Sequence, residues 1–310
     1  MSALPSRPLG DSGLHVSVVG LGCNNFGRRL DIAGTRRVVD AAIDQGVTFL
    51  DTADIYGASQ SETFLGEVLD GRRDQVVLAT KFGMDMGDGK GPRGSRDYVA
   101  HAAEASLRRL RTNVIDYYWY HRPDGVTPIA ETLEALHELV TAGKVRAIGA
   151  SNFSAAELEE ADAIARDQGL TRFTAVQNEY SLLVRDAEAD VIPACERLGI
   201  GFVPFFPLAS GLLTGKYRRG EPGPSGARLS DRDEVASEAQ FALVESLQSF
   251  ADERQVTLVE VAIGALLARE VVSSVIAGAT KPEQVQANAA AAAWTPSDAD
   301  RAELERLLAS

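Results

Sequence analysis

Thr48-Phe49-Leu50-Asp51-Thr52-Ala53-Asp54-Ile55-Tyr56-Gly57 joins a short buried strand to a loop that carries ionisable side chains. Residues 47–50 are apolar, β-branched or aromatic and lie between a glycine and a polar segment, which predicts a buried strand. Asp51 ends this strand, Tyr56 follows in the loop, and a helix is predicted from Ser61 onward. Strand, loop and helix form the repeating unit of an α/β barrel, whose sites lie at the C-terminal ends of the strands.

The same alternation of apolar runs and helical segments continues along the chain. The predicted barrel strands are residues 16–21, 47–50, 76–79, 114–120, 145–149, 174–180, 200–205 and 274–277. Residues 7–16 predict a β-hairpin ahead of the barrel. Residues 240–268 are predicted to be helical, and the Gly- and Pro-rich residues 206–230 form a loop of a length that is uncommon unless it is functional. We therefore predict a single-domain (β/α)8 TIM barrel over residues 1–310.

Composition excludes several classes of protein. The 310 residues suit one barrel, whose usual length is about 250 residues before insertions. A net charge of −13 argues against a nucleic-acid surface, which needs clustered Lys and Arg. Cys23 and Cys195 are isolated and lack metal-ligand spacing, so we expect two buried thiols in a reducing compartment and no metal site. Neither a signal peptide nor a membrane span is visible, and we expect a cytoplasmic protein.

Four ionisable residues are predicted to meet at one end of the barrel: Asp51, Tyr56, Lys81 and His121. A tyrosine is a poor acid near neutral pH, but a nearby ammonium stabilises the phenolate and lowers the pKa of the phenol. Asp51 would keep Lys81 charged, and His121 would donate a hydrogen bond to a substrate oxygen. A group that protonates an oxygen while a hydride reaches the adjacent carbon describes carbonyl reduction, with a nicotinamide coenzyme as the hydride source.

Four segments resemble the aldo-keto reductase family in the same order along the chain. They are residues 49–57, 79–83, 120–123 and 149–153, and the similarity extends from about residue 7 to the C-terminus. The resemblance implies that Tyr56 is the general acid and base, with Asp51, Lys81 and His121 as its partners. It also implies that the hairpin plugs the bottom of the barrel and that the loop after the seventh strand clasps the coenzyme.

The resemblance further implies a set of coenzyme-binding residues. Amide and hydroxyl groups at the ends of strands five and six suit the nicotinamide carboxamide, and Phe205, where many members have Tyr, would stack on its ring. Residues 207–217 resemble a pyrophosphate clasp, and residues 278–288 resemble the adenosine end. For Cys23 an ordinary strand-end turn remains an equal alternative. The full predicted set is Gly22, Cys23, Asn24, Ser151, Asn152, Gln177, Phe205, Leu208, Ser210, Gly211, Lys216, Gly278, Thr280, Lys281, Gln284 and Asn288.

The coenzyme and the role of the protein leave alternatives. NADP(H) is favoured because most of the family prefers it, but the position where many relatives carry an arginine for the 2′-phosphate matches Thr280 or Gln284, and neither is charged. Lys281 is the remaining cation, so NAD(H) stays possible. The expected partner is a small carbonyl substrate. The rivals are a slow redox sensor or regulatory subunit, as the potassium-channel β subunits of this family are, and a phosphate-binding barrel with unrelated chemistry; the latter leaves the four motifs unexplained.

Some neighbouring residues have simpler interpretations. Asp54 is expected to cap or brace its loop. Arg108, Arg109 and Arg111 are expected to form a solvated helix end. Tyr118, Tyr120 and Arg122 flank His121, and the alternation of side chains along a strand lets only some of them face the pocket.

Overall fold

The computed structural model contains a closed barrel of eight parallel strands, which confirms the predicted (β/α)8 architecture. The structure describes residues 4–221, 223–224, 229 and 235–309. Two short strands, β1 (Ser6–Pro8) and β2 (His15–Ser17), precede the barrel. The barrel strands are β3 (Val19–Gly22), β4 (Phe49–Asp51), β5 (Val77–Phe82), β6 (Ile115–Tyr120), β7 (Val145–Ser151), β8 (Ala175–Glu179), β9 (Gly201–Phe205) and β10 (Val275–Gly278), and β10 closes the ring against β3.

Helices surround the barrel. The α-helices are α1 (Ile32–Asp44), α2 (Gln60–Val68), α3 (Arg96–Arg109), α4 (Ile129–Thr141), α5 (Ala155–Gln168), α6 (Val191–Leu198), α7 (Glu238–Glu253), α8 (Leu258–Leu267), α9 (Pro282–Ala290) and α10 (Asp298–Leu308). Short 3-10 helices cover Arg73–Gln75, Asp186–Glu188, Ala209–Thr214 and Ala291–Ala293. Over the described ranges, none of these helices combines the length and the apolar character that crossing a membrane requires.

The first predicted barrel strand, residues 16–21, is wrong in its boundaries. The chain bends at Val18, so that β2 pairs antiparallel with β1 and only β3 belongs to the barrel. The bend is stabilised by the Ser17 side chain, which accepts hydrogen bonds from Thr48 N at 3.0 Å and from Phe49 N at 3.2 Å. A continuous apolar pattern does not reveal this bend, because its cause is a hydrogen bond to the next strand.

The hairpin of β1 and β2 closes the N-terminal end of the barrel, as predicted. Leu9 and Val16 are fully buried and belong to the same apolar cluster as Phe49, Tyr117 and Trp119 of the barrel interior. A side chain at Gly10, where φ is +55°, would collide with the carbonyl oxygen of Thr174, the residue before β8. The hairpin is therefore seated against the strand starts, and the opposite end of the barrel remains for a site.

Residues 240–268, which are predicted to be helical, contain most of α7 and all of α8. Thr257 begins α8 with a capping box, because its hydroxyl accepts from Glu260 N while Glu260 bonds back to Thr257 N. The two helices and α10 share a separate apolar cluster with Leu212, Leu213 and Tyr217 of the segment after β9. These apolar contacts hold the segment after β9 beside the barrel. Positions 222, 225–228 and 230 of the predicted loop lie outside the described residues.

Candidate active site

Three adjacent strands place the four predicted catalytic residues at one end of the barrel. Asp51 is the last residue of β4, Lys81 lies in β5, and His121 follows β6. Because β4, β5 and β6 are neighbours in parallel register, their C-terminal ends bring these side chains together. Tyr56 reaches the same point from the loop after β4.

Lys81 is the centre of this group. Its side chain is completely buried, and its Nζ donates to Asp51 Oδ2, to the Thr52 carbonyl at 2.9 Å and to Tyr56 Oη at 3.4 Å. The three hydrogens of the ammonium group are thus used by three acceptors. The other Asp51 oxygen accepts from Gln177 Nε2 at 2.9 Å, across the barrel. This network holds the ammonium group against the phenol of Tyr56.

The protonation states of Lys81 and Tyr56 follow from burial and from each other. Burial opposes the charge of Lys81, but Asp51 and Tyr56 outweigh it and raise the pKa of the ammonium group. Burial raises the pKa of Tyr56 above its ordinary value, and the lowering effect of Lys81 offsets this only in part. The expectation that Lys81 brings the Tyr56 pKa below the ordinary value is therefore not met. Near neutral pH the pair is an ammonium beside a protonated phenol.

His121 is neutral in this site. Burial lowers its pKa to about 3, and the charges of Lys81 and Arg122 act in the same direction. Its ring meets the ring of Tyr56 edge to face, with 5.9 Å between centroids. Nδ1 is buried and has no hydrogen-bond partner among the described residues. A neutral imidazole carries one N–H donor, which is suited to orienting a carbonyl oxygen.

A cavity of about 590 Å³ opens above this group. Its volume lies within the range of small-molecule and cofactor sites. It is lined by three of the predicted catalytic residues and by most of the predicted coenzyme set: Asp51, Tyr56, His121, Gly22, Asn24, Ser151, Asn152, Gln177, Phe205, Leu208, Ser210, Gly211, Lys216, Gly278, Thr280, Gln284 and Asn288. The structure therefore brings together residues that are separated by more than 200 positions in the sequence.

Three predicted site residues do not line the cavity. Lys81 lies beneath it and acts through Tyr56. Cys23 is fully buried, its amide donates to the Asp51 carbonyl at 2.9 Å, and its own carbonyl accepts from Ser61 Oγ at 3.0 Å. Those contacts fit the strand-end turn that was the alternative for Cys23. Lys281 is exposed and precedes α9, outside the lining.

The residues at the ends of β7 and β8 fit a carboxamide. Asn152 Nδ2 donates to the His121 carbonyl at 2.9 Å and to Ser151 Oγ at 3.1 Å, which ties β7 to the end of β6. An amide whose two hydrogens are used still offers its oxygen as an acceptor, and Gln177 beside it offers a further amide oxygen. Two amide oxygens as acceptors and the Ser151 hydroxyl as a donor, all at the cavity wall, suit the N–H and C=O groups of a nicotinamide carboxamide.

The segment after β9 adopts an unusual backbone that fits an anion. Ala209, Ser210 and Gly211 all have positive φ, and a side chain at Gly211 would lie 2.6 Å from Lys216 Nζ. Burial and the neighbouring charge of Arg29 lower the pKa of Lys216, so two cations lie close together at the cavity wall. Of the predicted phosphate-binding amides, that of Gly211 donates to the Leu208 carbonyl at 2.8 Å within the segment. Two cations beside a backbone turn at the cavity wall suit a pyrophosphate.

Fourteen cavity residues were not among the predicted site residues, and they include Met84 and three charged residues, Arg29, Arg122 and Glu283. Met84 follows β5 and Arg122 follows β6, so both lie at the C-terminal ends of barrel strands. Arg29 and Glu283 carry no comparable signal, because a charged side chain in a loop or helix is ordinarily solvated. Tyr118 and Tyr120, the other two neighbours of His121, are buried away from the cavity.

A second polar network lies behind the strands. Glu62 of α2 is fully buried and accepts from Thr80 Oγ1 at 2.5 Å and from Arg109 Nε at 2.6 Å. The prediction that Arg109 belongs to a solvated helix end is therefore wrong, because the buried carboxylate of Glu62 recruits it. Since Thr80 precedes Lys81 in β5, these bonds fix the strand that carries the lysine.

Asp54 braces its loop through its backbone. Its amide donates to the Lys81 carbonyl at 3.1 Å, and its carbonyl accepts from Ser59 Oγ at 2.8 Å. The carboxyl group itself is buried, and its Oδ1 has no hydrogen-bond partner among the described residues. Burial, followed by the charge of Glu62, raises its pKa to about 7.

Replacing this carboxyl group should change how stability depends on pH. Between the unfolded pKa of 3.8 and the folded pKa of about 7, the folded state keeps a proton that the unfolded state releases, so stability falls as pH rises. The wild type should lose about 2–4 kcal/mol through this group by pH 8. Asp54→Asn should not show that loss in urea unfolding from pH 4 to 8, whereas the exposed Asp44→Asn should behave like wild type. Parallel wild-type and Asp54→Asn curves would contradict the assignment.

Comparison with known proteins agrees with this geometry. The model of the Aldo/keto reductase family matches residues 18–309. The chain is also similar to a protein of Arabidopsis thaliana described as a probable voltage-gated potassium channel subunit beta. The two are 35% identical over 293 residues, which covers 91% of this chain and 89% of the relative.

Proposed function

Since the chain belongs to the aldo/keto reductase family, whose members are in general NAD(P)H-dependent oxidoreductases, we propose that it is a single-domain enzyme that reduces aldehydes or ketones to alcohols. One observation carries the proposal. Tyr56 Oη lies 3.4 Å from the buried ammonium group of Lys81, at the wall of the cavity and beside the neutral His121. A protonated phenol held in that position is a proton donor for a carbonyl oxygen.

The residues of the chain have separate roles in the reaction. A nicotinamide coenzyme supplies the hydride when bound. Tyr56 gives its proton to the carbonyl oxygen, and the resulting phenolate is stabilised by Lys81, which Asp51 keeps charged and in place. The N–H group of His121 donates to the same oxygen and fixes its approach. In alcohol oxidation the phenolate takes the proton back.

The residues that line the cavity support a proposed position for each part of the coenzyme. Ser151, Asn152 and Gln177 would hold the nicotinamide carboxamide, with Phe205 against the ring. Gly22 and Asn24, which flank the buried Cys23 at the end of β3, would border the coenzyme. Leu208, Ser210, Gly211 and Lys216 would bind the pyrophosphate, joined by Arg29, whose charge acts on Lys216. The adenosine end would lie along α9 and the turn before it, at Gly278, Thr280, Lys281, Gln284 and Asn288.

We expect NADPH to be preferred over NADH by a small margin. Gln284 Oε1 accepts from Thr280 N and Oγ1, so both residues are engaged with each other and neither carries a charge. Lys281 remains the nearest cation in the sequence, whereas Glu283 lines the cavity and would repel a 2′-phosphate. Attraction of the 2′-phosphate by Lys281 and its repulsion by Glu283 together predict weak discrimination between NADPH and NADH.

Substitutions of these two exposed residues test the coenzyme preference. Lys281→Ala should raise the KM for NADPH about 2- to 5-fold, the size of an exposed ion pair, and leave the KM for NADH unchanged. Glu283→Gln should lower the KM for NADPH by a similar factor. Steady-state kinetics with both coenzymes measure this. Equal effects of Lys281→Ala on the two coenzymes would show that Lys281 is not the phosphate ligand, and faster use of NADH would reverse the preference.

A redox sensor is the second candidate function. It is favoured by the similarity to a protein described as a probable potassium channel β subunit. The same cavity and the tetrad of Asp51, Tyr56, Lys81 and His121 would then support slow turnover, and the protein would report the state of the coenzyme to a partner protein. We expect a cytoplasmic protein for either function.

Turnover distinguishes the two functions. We expect a panel of small aldehydes and ketones, followed by the absorbance of NADPH, to reveal substrates with a turnover number of about 1 s⁻¹ or more, as is typical of enzymes. Turnover far below that value with every carbonyl, together with co-purification of one partner protein, would instead identify a sensor.

A further inference from the structure

We propose that Arg122 binds an anionic group of the substrate, so that the preferred carbonyl compounds carry a carboxylate or a phosphate; this rests on the proposed carbonyl reduction. Arg122 follows His121 directly and lines the cavity. Its side chain is exposed, and within the described ranges its guanidinium group has neither a hydrogen bond nor an ion pair. A guanidinium group at the mouth of the site is thus available to a ligand.

The backbone on both sides of Arg122 is fixed. His121 N donates to the Phe82 carbonyl at 2.8 Å, and the His121 carbonyl accepts from Asn152. After Arg122, Asp124 N donates to Tyr120 Oη at 3.0 Å, and its carboxylate accepts from Gly94 N at 2.7 Å. Only the side chain of Arg122 is left to move, so the position of its charge relative to His121 is restricted before a ligand arrives.

The charges of the cavity favour an anion. Three exposed cations line it, Arg29, Arg122 and Lys216, in a chain whose net charge is −13. Of the two carboxylates in the lining, Asp51 is neutralised by Lys81, and Glu283 belongs to α9. A positive cavity in an acidic protein raises the local concentration of anionic ligands.

The three cations divide between the two ends of the cavity. Arg29 and Lys216 influence each other, and we assign both to the coenzyme phosphates. Arg122 acts on His121, which lies against Tyr56 at the reacting end. A guanidinium group at that end matches the planar geometry of a carboxylate or a phosphate with two parallel hydrogen bonds. A neutral substrate would leave this group unused.

Two nearly isosteric aldehydes test the inference. 4-Carboxybenzaldehyde and its methyl ester differ in one negative charge, and the wild type should favour the acid about 10-fold in kcat/KM, chiefly through KM. Arg122→Gln should abolish this preference, with a much larger loss for the acid than for the ester, while Arg122→Lys should retain part of the preference. Arg108→Gln removes an equal charge from the exposed surface of α3 and should change nothing. Glyceraldehyde 3-phosphate against glyceraldehyde shows whether a phosphate is accepted as well.

The outcomes separate this inference from the proposed function. Reduction of the ester without any preference for the acid, or an equal loss of both activities in Arg122→Gln, would overturn the role of Arg122 alone. If no carbonyl compound is reduced, the proposed function fails, and calorimetric binding of 4-carboxybenzaldehyde still decides the inference. Wild type should then bind it about 10-fold more tightly than Arg122→Gln, and equal binding would overturn the proposal.

Discussion

Tyr56→Phe should lose about 10²- to 10⁴-fold in the turnover number for carbonyl reduction, the usual contribution of general acid catalysis. The substitution removes the hydroxyl group and keeps the ring, including its edge-to-face contact with His121. The proton that must reach the carbonyl oxygen is therefore absent, while the shape of the cavity is preserved. Coenzyme affinity, measured separately by fluorescence titration, should stay within about twofold of wild type.

A second tyrosine supplies the control for Tyr56→Phe. Tyr118 is fully buried in β6, its hydroxyl has no hydrogen-bond partner among the described residues, and it does not line the cavity. Tyr118→Phe deletes the same atom from a neighbouring strand and should leave turnover unchanged. If Tyr56→Phe also keeps wild-type turnover, Tyr56 is not the proton donor.

Lys81→Met should reduce the turnover number by a similar factor and should also change its pH dependence. Without the ammonium group, nothing offsets the effect of burial on Tyr56, so the pKa of the phenol rises further. The phenolate that acts as the base in alcohol oxidation then forms only at higher pH. In the pH profile of alcohol oxidation, the alkaline rise in rate should move to higher pH in the variant.

The Lys81→Met substitution should also lower the stability of the folded protein. Asp51 would remain as a buried carboxylate with Gln177 as its side-chain partner, and breaking such a pair typically costs about 3–5 kcal/mol. The double variant Asp51→Asn/Lys81→Met removes both charges and should unfold closer to wild type while remaining slow. Asp51→Asn alone should be less impaired than Lys81→Met, since it acts through the lysine. If the alkaline rise in the rate of alcohol oxidation stays at the same pH in a folded Lys81 variant, Lys81 is not coupled to Tyr56.

The sequence alone determined the barrel and the membership of the tetrad. Strand and helix periodicities are local properties, and the rule that parallel strands present their C-terminal ends at one face places Asp51, Lys81 and His121 together. Boundaries were less accurate where a distant partner sets them. The bend at Val18 depends on hydrogen bonds from Ser17 to the start of the next strand, which no local pattern contains.

Tertiary structure alone decided the electrostatics of the site. The sequence suggested that Lys81 lowers the pKa of Tyr56, yet burial dominates, because the cost of removing charge from water depends on everything packed around it. It also decided which charged residues face the cavity. Arg109, expected in solvent, pairs with the buried Glu62, while Arg122 lines the cavity. A charged side chain looks the same in a sequence whether it meets water, a buried carboxylate or a substrate, and only the packing of distant elements distinguishes these cases.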